Sequence, residues 1–151
     1  MSVLSIKEAK EDQVALIIQF IHELAVYEKM QDDVVITEAL LYEQLFVKKS
    51  AACVLAWEHD VAIGFALYFY NFSTFLGRNG LYLEDLFVKP IYRGKGYGKA
   101  ILLYLKELAI QQGCGRMEWS VLNWNTPAIE FYENLGAQSM KEWTVYRMNL
   151  L

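Results

Sequence analysis

The chain has 151 residues, 55% hydrophobic and 21% charged, so it can fold around a core and is too apolar for an intrinsically disordered protein. Its net charge of −4 argues against nucleic-acid binding through a basic surface and weakly favours cationic partners. The sequence has no CxxC pair, no clustered histidines and no apolar run of about 18 residues, so neither a metal site nor a membrane span is expected.

The N-terminus and the two cysteines bear on localisation. The first residues carry neither a basic stretch nor a long apolar stretch, which argues against a secretory signal peptide. Cys53 and Cys114 both stand in apolar surroundings, which predicts two buried free thiols in a reducing compartment. We therefore expect a cytoplasmic protein.

Hydrophobic periodicity, capping residues and turn residues predict a succession of strands and helices. In the first half these are a strand over 3–7, a helix over 11–30, a helix with Thr37 as its N-cap, and strands over 51–57 and 61–72 joined by a turn at 58–60. In the second half they are a strand over 80–88, a helix over 97–112, a strand over 116–122, a helix over 126–135 with Thr126 as its N-cap, and a strand over 142–150. This order, β-αα-βββ-α-β-α-β, predicts a mixed α/β sheet with helices on both faces, in one domain over 1–151.

A glycine-rich turn separates the strand over 80–88 from the helix that follows it. Its sequence is Arg93-Gly94-Lys95-Gly96-Tyr97-Gly98. A helix start has unpaired backbone N–H groups and partial positive charge, and glycines let an anion approach the backbone closely. Arg93, Lys95 and Lys99 add positive charge at the same place. The turn is therefore expected to bind a phosphate group, the alternative being a glycine-rich loop without a ligand.

The spacing of these glycines differs from that of the nucleotide-triphosphate loop and from that of the dinucleotide-binding fingerprint. It resembles the pyrophosphate-binding loop of the GNAT acetyltransferases, whose pattern is Gln/Arg-x-x-Gly-x-Gly/Ala. The predicted element order is also that of the GNAT fold, so the resemblance covers essentially the whole chain. It implies that the phosphate ligand is acetyl-CoA.

The resemblance also implies cofactor contacts outside the loop. In the family, backbone groups of the strand before the loop pair with the pantetheine arm, and an Asn in the pattern Asn-x-x-Ala/Ser contacts the cofactor. Asn125-Thr126-Pro127-Ala128 fits that pattern, although an Asn here could equally cap a helix. The cofactor-binding residues implied are Leu86, Phe87, Val88, Arg93, Gly94, Lys95, Gly96, Tyr97, Gly98, Lys99, Asn125, Ala128 and Tyr132.

Two side chains are candidates for proton transfer. Tyr132 lies in a segment that resembles the family pattern Ala-x-x-x-Tyr-x-x-x-Gly, in which the tyrosine is the usual general acid near the CoA sulfur; a packed helix aromatic is the alternative. Glu84 and Asp85 interrupt an apolar strand, where unpaired charges are costly. Strand alternation sends them to opposite faces unless a bulge re-aims them. Glu84 is the candidate base or counter-ion of the amine. The alternative is that Glu84 is an exposed acid or part of a structural ion pair.

Within the family the chain is most similar to the diamine and polyamine (spermidine/spermine) N-acetyltransferases and their thialysine-acetylating relatives. The similarity is carried by segments 23–28, 82–88, 92–98 and 124–132. In that group the residues matching Tyr27 and Glu28 line the amine site, and Glu84 matches the acid proposed as base. Glu142 matches a further acidic substrate contact more loosely. The resemblance also implies a homodimer, while a solvated helix end is the alternative for Tyr27 and Glu28.

The sequence departs from this group at one place. Ser73-Thr74-Phe75 stands where the polyamine enzymes have Asp-Pro-Trp, so one acidic contact for a distal ammonium is missing. This argues against long polyamines and leaves short diamines, thialysine-like amino acids or another primary amine open. The expected function is acetyl transfer from acetyl-CoA to a primary amine of a small cationic substrate. The alternatives are acetylation of a protein N-terminus or lysine, and a non-catalytic CoA-binding regulatory module.

Overall fold

The computed structural model describes residues 3–151. Its strands are β1 (Leu4–Glu8), β2 (Ala52–Glu58), β3 (Val61–Ser73), β4 (Arg78–Val88) and β5 (Arg116–Trp119). Its α-helices are α1 (Val14–Tyr27), α2 (Glu38–Tyr42), α3 (Tyr97–Gln111) and α4 (Thr126–Asn134). Short 3₁₀ turns lie at Glu11–Gln13, Gln31–Asp33 and Pro90–Tyr92, and a π-helical turn at Glu43–Val47 follows α2.

The helix ends follow from local chemistry. Thr37 caps α2 as predicted, because its Oγ1 accepts a hydrogen bond from the Leu40 N–H at 3.2 Å. The helix predicted to reach residue 30 ends at Tyr27, and Lys29 then adopts a positive φ of 61°. The prediction that Thr126 caps α4 is wrong. Asn125 is the N-cap, since its Oδ1 accepts from the Ala128 N–H at 3.4 Å and Thr126 is already helical.

The five strands form one sheet in the order β1-β2-β3-β4-β5. The first four strands pair antiparallel, and β5 pairs parallel to β4. The strand predicted to reach residue 122 ends at Trp119, which lies opposite Leu83. The next residue of β4, Glu84, is the extra residue of a β-bulge in the pairing with β3, so the bulge begins where the ladder to β5 ends.

Helices cover both faces of the sheet, as predicted. On one face α1 buries Ile17 and Phe20 against a cluster that includes Leu55 and Phe65, and the Phe20 and Phe65 rings stack at 5.6 Å. Strand alternation turns Val54 to the other face, where α3 packs against β1, β4 and β5. Within α3, the residues buried are Ile101, Leu102, Leu105 and Ala109.

The two thiols differ in burial. Cys53 lies inside the α1-facing core, and burial raises its pKa. Cys114 is only half-buried, so the prediction of two buried cysteines is wrong for this one. Cys114 follows α3 in the turn at Gly113, whose φ is +76°, and this turn lies at the surface. Both cysteines are free thiols.

The chain divides into two compact units, one up to Ser120 and one from Val121 to Leu151. A single domain over 1–151 therefore stays a prediction. In the second unit the predicted strand over 142–150 is wrong: residues 135–151, all of which are described, contain no strand. A β-strand needs a neighbouring edge for its backbone hydrogen bonds, and alternation along a segment does not supply one. Its apolar side chains are exposed.

Candidate active site

The glycine-rich turn has the geometry of an anion site. β4 ends at Val88, and after the 3₁₀ turn Gly94 and Gly96 adopt positive φ values of 82° and 80°. Gly96 is the N-cap of α3 and supplies no capping side chain. The first turn of α3 therefore leaves backbone N–H groups without helical acceptors. A Cβ on Gly94, Gly96 or Gly98 would meet no atom within 4 Å, so the space over the turn is open. The turn fits a phosphate group.

Two side chains of the turn already contact a carboxylate. Lys95 Nζ lies 3.5 Å from Glu58 Oε2, and the Tyr97 hydroxyl donates to the same oxygen. The hydrogen bond from Tyr97 holds the pKa of Glu58 below its usual value, and the same bond raises the pKa of Tyr97. Glu58 thus balances part of the positive charge that the sequence places at the turn. The rest of the positive potential at the turn comes from the backbone N–H groups at the start of α3 and from the exposed Lys99.

One edge of β4 is uncovered beside the turn. Leu86, Phe87 and Val88 pair with β3 on one side. On the other side β5 pairs only with Gly80–Leu83, so among residues 3–120 no strand covers the edge from Glu84 onward. Such an edge has backbone donors and acceptors that an extended ligand can use as an added strand.

The β-bulge re-aims the two acids of β4. Asp85 lies opposite Leu67 and the next paired residue is Leu83 opposite Tyr68, so Glu84 has no partner on β3. Glu84 is exposed. Asp85 is half-buried and shares the α1-facing side of the sheet with Leu67, a residue of the core.

Three carboxylates gather at this bulge. Burial first, and then the charges of Glu84 and Glu28, raise the pKa of Asp85 to about 7. Burial and the charge of Glu84 also raise the pKa of Glu28. Like charges this close disfavour full ionisation, so the cluster attracts a cation and holds one group able to exchange a proton near neutral pH.

The family resemblance predicted Glu28 and Glu84 in the amine site and did not include Asp85. The structure brings all three together at the end of α1 and the bulge of β4. The available signal was the pair of adjacent acids in an apolar strand, together with a bulge as the exception to alternation. Which of the two acids is buried depended on the register, which the local sequence did not reveal.

Tyr27 meets the glycine-rich turn. It is the last residue of α1, directly before the C-cap Glu28. The guanidinium carbon of Arg93 lies 5.0 Å from the centre of the Tyr27 ring and 5.3 Å from that of Phe87. The side chain of Arg93 also donates from Nε to the Val88 carbonyl oxygen at 2.8 Å. The end of α1 and the turn are therefore in direct contact.

The remaining predicted cofactor and acid residues lie in the second unit. Asn125 is buried at the start of α4, and Ala128 and Tyr132 follow at helical spacing on one face. Tyr132 is half-buried, with its ring 5.5 Å from that of Phe131. Asn125 acts as a helix cap, which was the alternative reading of its pattern. Glu142 is exposed.

Ser73, which stands where polyamine enzymes have an acid, is used by the β3–β4 turn. Its Oγ accepts from the Leu76 N–H at 3.2 Å and its side chain is buried. Phe75, two residues on, is fully exposed. Ser73 pairs with Arg78, six residues before Glu84 on the same strand, or about 20 Å at the usual rise of a strand.

Two kinds of site are not found in residues 3–151. No helix in this part of the chain combines the length and apolar character needed to cross a membrane. No group of three or more His, Cys, Asp or Glu side chains there is placed to hold a metal ion.

Known proteins resemble the chain over most of its length. The profile of the acetyltransferase (GNAT) family matches residues 18–137. A thialysine N-epsilon-acetyltransferase of Bos taurus is 38% identical over 159 residues, which cover 97% of this chain and 93% of the relative. An L-ornithine N5-acetyltransferase of Arabidopsis thaliana is 46% identical over 91 residues, which cover 60% of this chain and 40% of that protein. An integron cassette protein from the mobile metagenome of V. cholerae superposes with a TM-score of 0.81 at 29% identity, over 99% of this chain and 94% of that one.

Proposed function

The chain belongs to the acetyltransferase (GNAT) family, and we propose that it transfers the acetyl group of acetyl-CoA to a primary amine of a small cationic molecule. The observation that carries this proposal is the cluster of Glu28, Glu84 and Asp85 at the bulge of β4. This cluster lies at the start of the uncovered edge of β4, which leads to the glycine-rich turn, and it supports a role in binding a cation and accepting a proton. Those are the parts that acetyl transfer to an ammonium requires.

The anion-binding turn and the strand edge hold acetyl-CoA. The backbone N–H groups from Gly94 to Lys99, at the start of α3, bind its pyrophosphate, and Leu86, Phe87 and Val88 pair with its pantetheine arm. When bound, acetyl-CoA supplies a reactive acetyl thioester. Asn125 and Ala128 complete the cofactor contacts in the proposal.

The carboxylate cluster binds the amine and takes its proton. The exposed Glu84 and the half-buried Glu28 attract the ammonium, which favours the ionised form of both. Asp85, with a pKa of about 7, accepts a proton as the amine becomes nucleophilic. Glu84 remains a second candidate for that step, through water. Tyr27 borders the same place, and Glu142 is proposed as a further acidic contact.

Tyr132 completes the proton transfers. A phenol donates its proton to the thiolate that departs when the amine nitrogen takes the acetyl group. Tyr132 is half-buried on α4, at helical spacing from Ala128. This assignment rests on the family pattern that the residue matches.

The proposed acceptor is a short diamine or a diamino acid. The relatives named above act on thialysine and ornithine, which each carry a side-chain amine. The Ser73 hydroxyl accepts a hydrogen bond within the β3–β4 turn, and a serine supplies no carboxylate for a distal ammonium. Long polyamines are therefore expected to be poor substrates.

A substrate panel tests the proposal. Release of CoA is followed with putrescine, spermidine, spermine, thialysine, ornithine, lysine and an N-terminal peptide, against a blank without amine. We expect kcat/KM to be highest for thialysine, ornithine or putrescine and lower for spermine. Turnover of the peptide alone would favour protein acetylation. Binding of CoA without turnover of any amine would favour the non-catalytic module.

A homodimer is the second part of the proposal. Family resemblance supports it, and so does the end of the chain. There the apolar side chains of Trp143, Val145, Met148 and Leu150 are 76% to 90% exposed. An apolar segment of this kind is stabilised when another surface covers it. Sedimentation equilibrium should give about twice the chain mass of 17.5 kDa. A single species at the chain mass would contradict the dimer.

A reducing cytoplasm is proposed as the location. The free thiols Cys53 and Cys114 support it, since oxidising compartments favour disulfides. A labelled chain found in a secretory compartment would contradict it.

A further inference from the structure

Arg93 is an exposed residue of the glycine-rich turn, and its guanidinium lies against the end of β4 and the end of α1. Its Nε donates to the Val88 carbonyl oxygen at 2.8 Å. Its carbon lies over two aromatic rings, 5.0 Å from the centre of Tyr27 and 5.3 Å from the centre of Phe87. The side chain therefore contacts the last residue of β4, a core ring of β4 and the last residue of α1.

These contacts connect the turn to the core. The Phe87 ring lies 6.3 Å from that of Phe20, and Phe20 stacks on Phe65 at 5.6 Å. Phe20 is fully buried in α1, so α1 is fixed against the sheet at that residue and β4 is fixed at Phe87, which the guanidinium contacts. Tyr27 is 39% exposed at the end of its helix, and the Arg93 guanidinium lies over its ring.

A guanidinium suits this position and an ammonium does not. Its flat surface stacks on aromatic rings while its edge donates a hydrogen bond in the same plane. A lysine keeps the positive charge but cannot contact the two rings and the carbonyl with one rigid group. If the side chain served only as a charge for a phosphate, lysine would replace it with little loss.

We propose that Arg93 is a positioning residue for the amine substrate, because it holds the Tyr27 ring and the adjoining Glu28 against the bulge of β4. The inference rests on the proposed function and deepens it. The turn that binds acetyl-CoA thereby also orients one wall of the amine site. Glu28 follows Tyr27 directly at the C-cap of α1, and its charge is coupled to that of Glu84 on β4.

The kinetic test uses Arg93→Lys, with Arg78→Lys as the matched control. Arg78 also donates to a backbone carbonyl, that of Gly113 at 3.4 Å, and lies at the start of β4 outside the site. We expect Arg93→Lys to raise KM for the amine about five- to tenfold, with kcat and KM for acetyl-CoA within about twofold of the wild type. Arg78→Lys should leave all three unchanged. A rise confined to KM for acetyl-CoA would overturn the inference.

A second measurement needs no substrate. Hydrogen–deuterium exchange of the peptide over residues 22–30 should become faster in Arg93→Lys and remain unchanged in Arg78→Lys, since only the first removes the guanidinium that contacts the end of α1. Equal exchange in all three proteins would overturn the inference whatever the substrate is. Faster exchange in a protein that acetylates none of the amines tested would retain the contact and reject the proposed function.

Discussion

Tyr132→Phe should lower kcat about 10²- to 10³-fold, while KM for the amine and for acetyl-CoA stay within about twofold. The variant keeps the ring and its contact with Phe131, so α4 should fold as before. It removes the hydroxyl proton that we propose the departing thiolate takes. An interaction made only as the thiolate leaves affects kcat and not the binding of either substrate.

Tyr104→Phe is the control for this variant. Tyr104 is a partly exposed tyrosine of α3 and has no proposed role in the reaction. Steady-state rates at saturating amine and neutral pH decide the matter. Full turnover by Tyr132→Phe would assign the residue to packing and leave water or another group as the acid.

Asp85→Asn should lower kcat/KM for the amine about 10²-fold at pH 8, because the variant can neither accept the proton nor balance the ammonium. In the wild type, kcat/KM should rise with pH through about 7, as Asp85 ionises. The variant should lose that rise. Glu84→Gln should shift the rise to lower pH, since one neighbouring negative charge that raises the pKa of Asp85 is gone.

Asp85→Asn should also stabilise the folded protein. The pKa of Asp85 is about 7 in the folded protein against 3.8 for a free aspartate side chain, so protonation favours folding and this contribution is lost as pH rises from about 4 to 7. At pH 8 the charged Asp85 side chain lowers the free energy of unfolding by on the order of 4 kcal/mol. An uncharged Asn avoids this cost.

Thermal unfolding at pH 5 and pH 8 measures this gain. Tm of Asp85→Asn should exceed that of the wild type by about 5 °C or more at pH 8, and by less at pH 5. Loss of activity together with a gain in stability distinguishes a strained functional acid from a structural one. If the variant is less stable at both pH values, Asp85 has a structural role and Glu84 remains the candidate base.

The sequence by itself determined the parts of this protein that depend on local periodicity and turn chemistry. Apolar spacing placed β1 to β5 and α1 to α4 because burial of one face requires it. The glycines placed the anion-binding turn, since Gly94 and Gly96 adopt the positive φ that other residues avoid. Motifs of this kind were also enough to predict the family to which the chain belongs.

Only the tertiary structure decided where charged side chains go. The bulge at Glu84 leaves Asp85 half-buried on the α1-facing side, and it depends on the register between β3 and β4, which involves residues apart in the chain. Glu58 contacts Lys95, 37 positions later in the chain, and the Arg93 guanidinium lies over the Tyr27 ring. The prediction of a strand over 142–150 was wrong because strand pairing also depends on residues distant in the chain. Alternation shows that a segment can form a strand, whereas its hydrogen bonds require an edge that the segment cannot supply itself.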